Sequence, residues 1–291
     1  MVPQNTITQP TKIKGVNVYS GRRNHVIFHP AKEDSGLVFL LNGERIPAKL
    51  ELADNVRKGI SLSNGKQRVY LVEHLLSAVY SLGIDNLEIE LSDNTCPTTT
   101  NCASEYFSAL KDIKKLQDKS KRFWSVQEDR AVEVNNLPDK LGIFSSEGFS
   151  VSCVYRYPHK IIGEQKCSFK FGVDSYEKIA GARPPGFLGN EFVLGLVHIA
   201  NKLGWKGVTP DNYLLITSQN ALQYSSPETS LIKHDGTEFV KHKIVDEIGT
   251  LALTGRHFVN TEFQFYMTGH KTDLHVLKEL FKEGYFKDSL A

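Results

Sequence analysis

Residues 116–122 read LQDKSKR, a stretch with one apolar side chain among charged and polar ones. Such a composition cannot bury apolar surface, so it suits a linker between two folded units rather than part of either. Placing a boundary near residue 120 divides the 291-residue chain into pieces of ordinary domain size, 1–120 and 121–291, each long enough for its own core. Both pieces then show one plan. The first opens with short strand-like runs, GVNVYS (15–20), NHVIFHP (24–30), GLVFLLNG (36–43) and PAKLEL (47–52), punctuated by Gly, Pro, Asn and Asp. A helix is expected from about Tyr70, where Leu71, Leu75, Leu76 and Val79 share a face, followed by the strand LEIEL. SEYFSALKDIKKL reads as a second helix. Beyond the linker, FWSVQ, RAVEV, FSVSCVYRY and CSFKFGV read as strands, with helical patterns at 174–182 and 189–203. A strand NYLLIT, a helix around FVKHKIVDEIG and a last helix TDLHVLKELFKEG complete the second piece. Strands first and helices after, twice over, predict an α+β chain of two similar two-layer α/β sandwich domains. The repeat is one of element order; no repeated sequence accompanies it.

Composition excludes several function classes. The 35 basic and 33 acidic side chains nearly cancel, and no basic run is long enough for a nucleic-acid partner. No window reaches the roughly 20 apolar residues of a membrane span, and the N-terminus has no apolar core of a secretory signal. The four cysteines form no CxxC pair, which suits reduced structural thiols and a cytoplasmic location.

The chemistry concentrates in FVKHKIVDEIG (239–249). Side chains at i and i+4 of a helix stand one above the other, so His242 and Asp246 can bind the same ion. A solvated helix face is the commoner meaning of such a pair. A hydrolytic zinc site, however, takes three ligands from His, Asp and Glu, and VEHLLSA (72–78) offers a third. Glu73 and His74 stand together in an otherwise apolar helix start, where charge is expensive unless paired or bound to metal. Glu73 is placed to accept a proton from water activated beside the cation. The same two His and one carboxylate suit Fe²⁺ as well as Zn²⁺. In TGH (268–270), His270 follows the strand-like NTEFQFYM and is a candidate general acid at a strand end.

Taken in order, GVNVYSG, VEHLLSAVYSLGIDNLEIEL, YPHKIIGEQKCSFKF, EKIAGARPPGF, FVKHKIVDEIG and TGH resemble the UDP-3-O-acyl-N-acetylglucosamine deacetylases, the zinc amidases of lipid A biosynthesis. The resemblance runs over nearly the whole chain. It implies two α+β sandwiches with the active site between them, and zinc ligands at His74, His242 and Asp246. It further implies a general base at Glu73, a histidine acid at His270 and a charge-stabilising lysine at Lys243. The implied partner is an acylated sugar nucleotide or another N-acyl small molecule. An apolar passage for the acyl chain is implied in GFLGNEFVLGLVHIANKLGW, with Phe187, Leu188 and Phe192 foremost and Val193, Leu196 and Val197 beside them.

The departures are specific. Where the family reads Ala-Arg-Thr-Phe-Gly-Phe, this chain has Ala182-Arg183-Pro184-Pro185-Gly186-Phe187, and proline has no hydroxyl to donate to an oxyanion. The family's second aspartate, four residues after Asp246, is Thr250, which leaves His270 without that carboxylate. Val18-Tyr19-Ser20-Gly21 and Thr100-Asn101-Cys102-Ala103 replace two further family motifs, and the segment after Phe187 is longer. Intact ligands with altered supporting groups predict a deacetylase of changed substrate or reduced rate. The alternative is a metal-containing homologue, weak or inactive, that binds a sugar nucleotide or acyl ligand.

Overall fold

A computed structural model describes the chain except residues 1, 57–58, 99, 101, 134–138, 158–161, 190, 205–208, 210–211, 218–235 and 290–291. In the first half the order is β1 (Pro3–Ile7), β2 (Thr11–Val16), β3 (Arg23–Pro30), β4 (Leu37–Leu41), β5 (Glu44–Pro47), β6 (Ala53–Val56), β7 (Gly59–Ser63), β8 (Arg68–Tyr70), α1 (Glu73–Ser81), β9 (Leu87–Leu91), α2 (Ser104–Leu110) and β10 (Lys114–Ser120). The second half runs β11 (Phe123–Val126), β12 (Arg130–Glu133), β13 (Lys140–Ser145), β14 (Phe149–Tyr157), β15 (Gly163–Lys170), α3 (Glu177–Ala180), β16 (Pro185–Gly189), α4 (Glu191–Lys202), β17 (Leu214–Thr217), α5 (Glu238–Ala252), β18 (His257–Phe258), β19 (Thr261–Tyr266), α6 (His270–Lys282) and β20 (Phe286–Ser289).

The repeat that sequence could not show is present in the strand order. One five-stranded sheet runs β2-β3-β9-β4-β5 and another β12-β13-β19-β14-β15. In each, the central strand lies antiparallel to one neighbour and parallel to the other. Period-two burial drives both: Asn24, Val26 and Phe28 point inward from β3, as Val151, Cys153 and Tyr155 do from β14. The α+β architecture expected from the sequence is observed.

The linker expectation fails in detail. Residues 114–120 form β10, which pairs antiparallel with β1 as a two-stranded ribbon. Most β10 side chains face solvent, so no hydrophobic alternation marks the strand. Backbone pairing holds it, with the Gln117 amide donating to Ala31 O at 3.0 Å and accepting from Asn86 at 2.8 Å. Other boundaries shift as well. The first expected helix begins at Glu73 rather than Tyr70, and the second ends at Leu110. Strand β13 and the small sheet β6-β7-β8 were not foreseen. Among the described residues no helix is long and apolar enough to cross a membrane.

Helix α1 is buried on all sides over Glu73–Tyr80 and packs directly on α5, so the interior of the molecule holds a helix from each half face to face. At the far end of α1 the Tyr80 hydroxyl accepts the Phe258 N–H at 3.1 Å, and its ring stacks on His257 with centroids 4.0 Å apart. Burial, with help from Lys121, lowers the His257 pKa from 6.5 to about 3. Between those values the unfolded chain binds a proton that the folded chain does not, so stability rises with pH across that window and is lost as pH falls from 6.5 toward 3. Because the ring is partly exposed, we expect only about 2 kcal/mol from it. Urea unfolding at pH 7.5 and 4.5 should show wild type losing about that much more than His257→Gln.

Candidate metal centre

Two helices that touch backbone to backbone assemble the site. Gly249 of α5 lies against α1 so closely that an added Cβ would stand 2.1 Å from the Glu73 carbonyl oxygen. Only glycine allows that approach. Gly249→Ala should therefore force the helices apart, costing about 3 kcal/mol by overpacking and weakening metal binding together with it. Thermal melts and metal titration of one preparation would check both.

That contact brings the start of α1 to one face of α5. Donor atoms of His74, His242 and Asp246, all buried, lie within 4.8 Å of one another. His74 Nε2 and His242 Nε2 each stand 3.3 Å from Asp246 Oδ1, with the two imidazoles edge to face at 4.8 Å between centroids. His242 Nδ1 lies 2.9 Å from Ala182 O. A carbonyl can only accept, so the proton is on Nδ1 and the Nε2 lone pair faces the cluster. Asp246 Oδ1 is buried without a hydrogen bond. An orphaned carboxylate oxygen facing the His242 Nε2 lone pair calls for a cation between them. Tetrahedral coordination at 2.0–2.1 Å sets neighbouring ligand atoms about 3.3 Å apart, so the residues fit such an ion.

Around the triad the remaining expected residues converge. Glu73 Oε2 accepts the Ile60 N–H at 3.0 Å. Burial pushes the Glu73 carboxyl up to about 7, His74 pulling the other way, before the charge of any bound cation is counted. Leu71, just before α1, takes φ of +59°, an uncommon conformation for a branched side chain that turns β8 abruptly into the helix. Lys243 Nζ lies 3.0 Å from Asp246 Oδ2 and 5.4 Å from the Tyr155 ring centroid. Burial alone would lower its pKa, but Tyr155, Asp246 and Glu247 more than reverse that, keeping the ammonium charged.

His270 Nε2 stands 3.7 Å from Asp246 Oδ2. It is the first residue of α6, not a strand end as the sequence suggested. Burial lowers its pKa to about 4, against the opposing pull of Asp246. The turn that delivers it is fixed by Met267 at φ +56°, whose N–H donates to Val154 O at 2.9 Å, and by the Tyr155 hydroxyl donating to Thr268 O.

Thr250 does not enter the site, because its hydroxyl donates to Asp246 O at 3.0 Å within α5. Pro184 offers only a carbonyl, which accepts the Leu214 N–H at 2.9 Å. Phe187 is 46% exposed on β16 and stacks on Tyr157 at 4.6 Å. Leu188 is partly buried, while the Phe192 side chain lies outside the described residues. His159 and His234 also lie outside them, as does the His198 side chain.

Sequence reasoning passed over Glu247 and Asp273, both fully buried and both acting on Lys243. Burial raises the pKa of each; repulsion from Asp273 adds to it for Glu247, whereas Lys243 pulls Asp273 the other way. The available signal was a Glu directly after Asp246, on a helix whose other flanking positions, Val245 and Ile248, are apolar.

With this geometry established, the comparisons are specific. The family model described as UDP-3-O-acyl N-acetylglycosamine deacetylase matches residues 4–282. The chain is similar to the UDP-3-O-acyl-N-acetylglucosamine deacetylase of Ruthia magnifica subsp. Calyptogena magnifica, 30% identical over 277 residues covering 93% of this chain and 87% of the relative. The protein of that name from Pseudomonas entomophila (strain L48) is 31% identical over 295 residues, covering 97% and 91%. That from Nautilia profundicola is 29% identical over 289 residues, covering 98% and 94%. The chain therefore belongs to the UDP-3-O-acyl N-acetylglycosamine deacetylase family.

Proposed function

We propose that the protein is a zinc-dependent deacetylase that hydrolyses the N-acetyl group of an acylated sugar nucleotide, in the cytoplasmic chemistry that leads to lipid A. The observation that carries this reading is the 3.3 Å spacing of Asp246 Oδ1 from both histidine Nε2 atoms, which suits tetrahedral Zn²⁺. His74, His242 and Asp246 would hold the ion; when bound, it supplies Lewis acidity toward the amide carbonyl and acidifies water. Glu73 accepts the proton of the attacking water. Lys243 faces the charge that develops on the carbonyl oxygen. His270, whose Nε2 stands 3.7 Å from Asp246 Oδ2, is assigned the protonation of the departing nitrogen. The new C–O bond forms first, placing negative charge on the former carbonyl oxygen, and the C–N bond breaks as the nitrogen takes a proton, so one water yields acetate and a free amine. Phe187, Leu188 and Phe192 are proposed for the acyl chain, and the halves 1–120 and 121–291 for the two domains.

Pro184 and Thr250 favour a second reading for rate and substrate. Loss of one oxyanion donor lowers turnover by roughly 10² to 10³, so the protein either acts slowly on the usual substrate or takes a different N-acyl compound. The extreme form is a homologue that binds ligand without turnover. Acetate release should be measured from UDP-3-O-acyl-GlcNAc and from simpler N-acetyl sugars, before and after chelation. Chelator-sensitive acetate release supports the deacetylase. Stoichiometric zinc with no acetate from any of these compounds supports the binding protein.

A further inference from the structure

Arg183 is the largest fully buried side chain of the described residues and is 2% exposed. Its Nε and Nη2 donate to Glu238 Oε1 at 2.7 Å and Oε2 at 2.9 Å, and its backbone N–H reaches Oε1 at 3.1 Å. Glu238, 3% exposed, is the first residue of α5, one turn before His242 on the same helix face. The residue preceding Arg183 is Ala182, whose carbonyl takes the His242 Nδ1 proton. Two consecutive residues of the loop before β16 are thus tied to two α5 residues one turn apart.

We propose that the buried Arg183–Glu238 pair is a positioning device for the metal ligand His242: it fixes the Ala182 carbonyl, and through it the tautomer and rotation of the imidazole. The inference rests on reading His74, His242 and Asp246 as a metal site. Net stability does not account for the pair, because a buried ion pair repays its desolvation poorly and apolar residues of similar volume do as well or better. Orientation does account for it. A planar fork with both nitrogens engaged fixes the loop in angle as well as distance. Outer partners of liganding histidines typically change metal affinity roughly 10- to 100-fold.

The test is zinc affinity by competition with a chromophoric chelator, which needs no substrate. Glu238→Gln and Arg183→Lys should bind Zn²⁺ about 10- to 100-fold more weakly than wild type. Because either variant could simply fold poorly, two more decide the matter. Asp85→Asn weakens the pair between buried Lys121 and half-buried Asp85, 2.8 Å apart and beyond the far end of α1, and should leave zinc affinity unchanged. The double variant Arg183→Met/Glu238→Leu leaves no unpaired charge, should melt near wild type, and should still lose at least about 10-fold in zinc affinity. A double variant that binds zinc like wild type overturns the proposal, as does an Asp85→Asn protein that loses as much. If wild type itself holds no stoichiometric zinc, the metal reading fails first and the proposal goes with it.

Discussion

His242→Ala should yield a folded protein whose zinc content falls from about one per chain to near zero, with acetate release at background. The triad is the one group of His, Cys, Asp or Glu found among the described residues that could hold a metal ion, its donor atoms within 4.8 Å of one another. Removing one nitrogen leaves two donors, too few to compete with water for the ion. A folding consequence accompanies the chemical one. Without a cation, the His242 Nε2 lone pair faces a buried carboxylate oxygen that has no hydrogen bond, so bound metal should stabilise the native state. At a free concentration of about 1,000 times Kd, that amounts to about 4 kcal/mol. Wild type should therefore melt at a higher temperature with Zn²⁺ than with chelator, and His242→Ala should melt at the same temperature in both. Retention of one zinc per chain by His242→Ala would rule the triad out as the metal site, since the ion would then be held elsewhere.

How far the sequence could be read depended on what held each element. Strands with one buried face, such as β3 and β14, announce themselves by period-two alternation. β10 does not, because both of its faces are largely solvated and its stability is in backbone pairing with β1, which leaves no trace in composition. The cluster of His74, His242 and Asp246 was legible because metal chemistry would demand those residue types, and because i, i+4 spacing alone brings His242 over Asp246. That His74 meets them depends on α1 touching α5 at Gly249, a long-range contact that no local pattern encodes. Only the oddity of two polar residues, Glu73 and His74, in an apolar helix start pointed to it, and the family resemblance then agreed. The solvated-face interpretation of FVKHKIVDEIG fails for the same reason: α5 packs against α1 on one side and the β14–β15 hairpin on another, so its charged residues are interior. Glu247 and Asp273 were missed because a buried acid looks, in sequence, like any surface acid until its neighbours are known.

The isosteric change Glu73→Gln should lower kcat by about 10² to 10⁴ while zinc content stays near one per chain. The glutamine would keep the volume of the side chain, and its carbonyl oxygen can still accept the Ile60 N–H that Glu73 Oε2 accepts at 3.0 Å. What it loses is a basic oxygen able to take the proton of water. Glu73 itself is not among the three residues whose donor atoms cluster within 4.8 Å and could hold an ion, so metal affinity should be little changed. Stability should hold or rise, because the substitution withdraws a carboxyl that burial destabilises in its charged form, as its pKa of about 7 indicates. KM should stay within a few-fold of wild type, since the group acts on the water rather than on the sugar or acyl chain. Zinc content, melting temperature and steady-state acetate release on the same preparations separate these effects. If Glu73→Gln turned over within about ten-fold of wild type, the proton acceptor would have to be another group, and His270, on the far side of Asp246, would be the next to substitute.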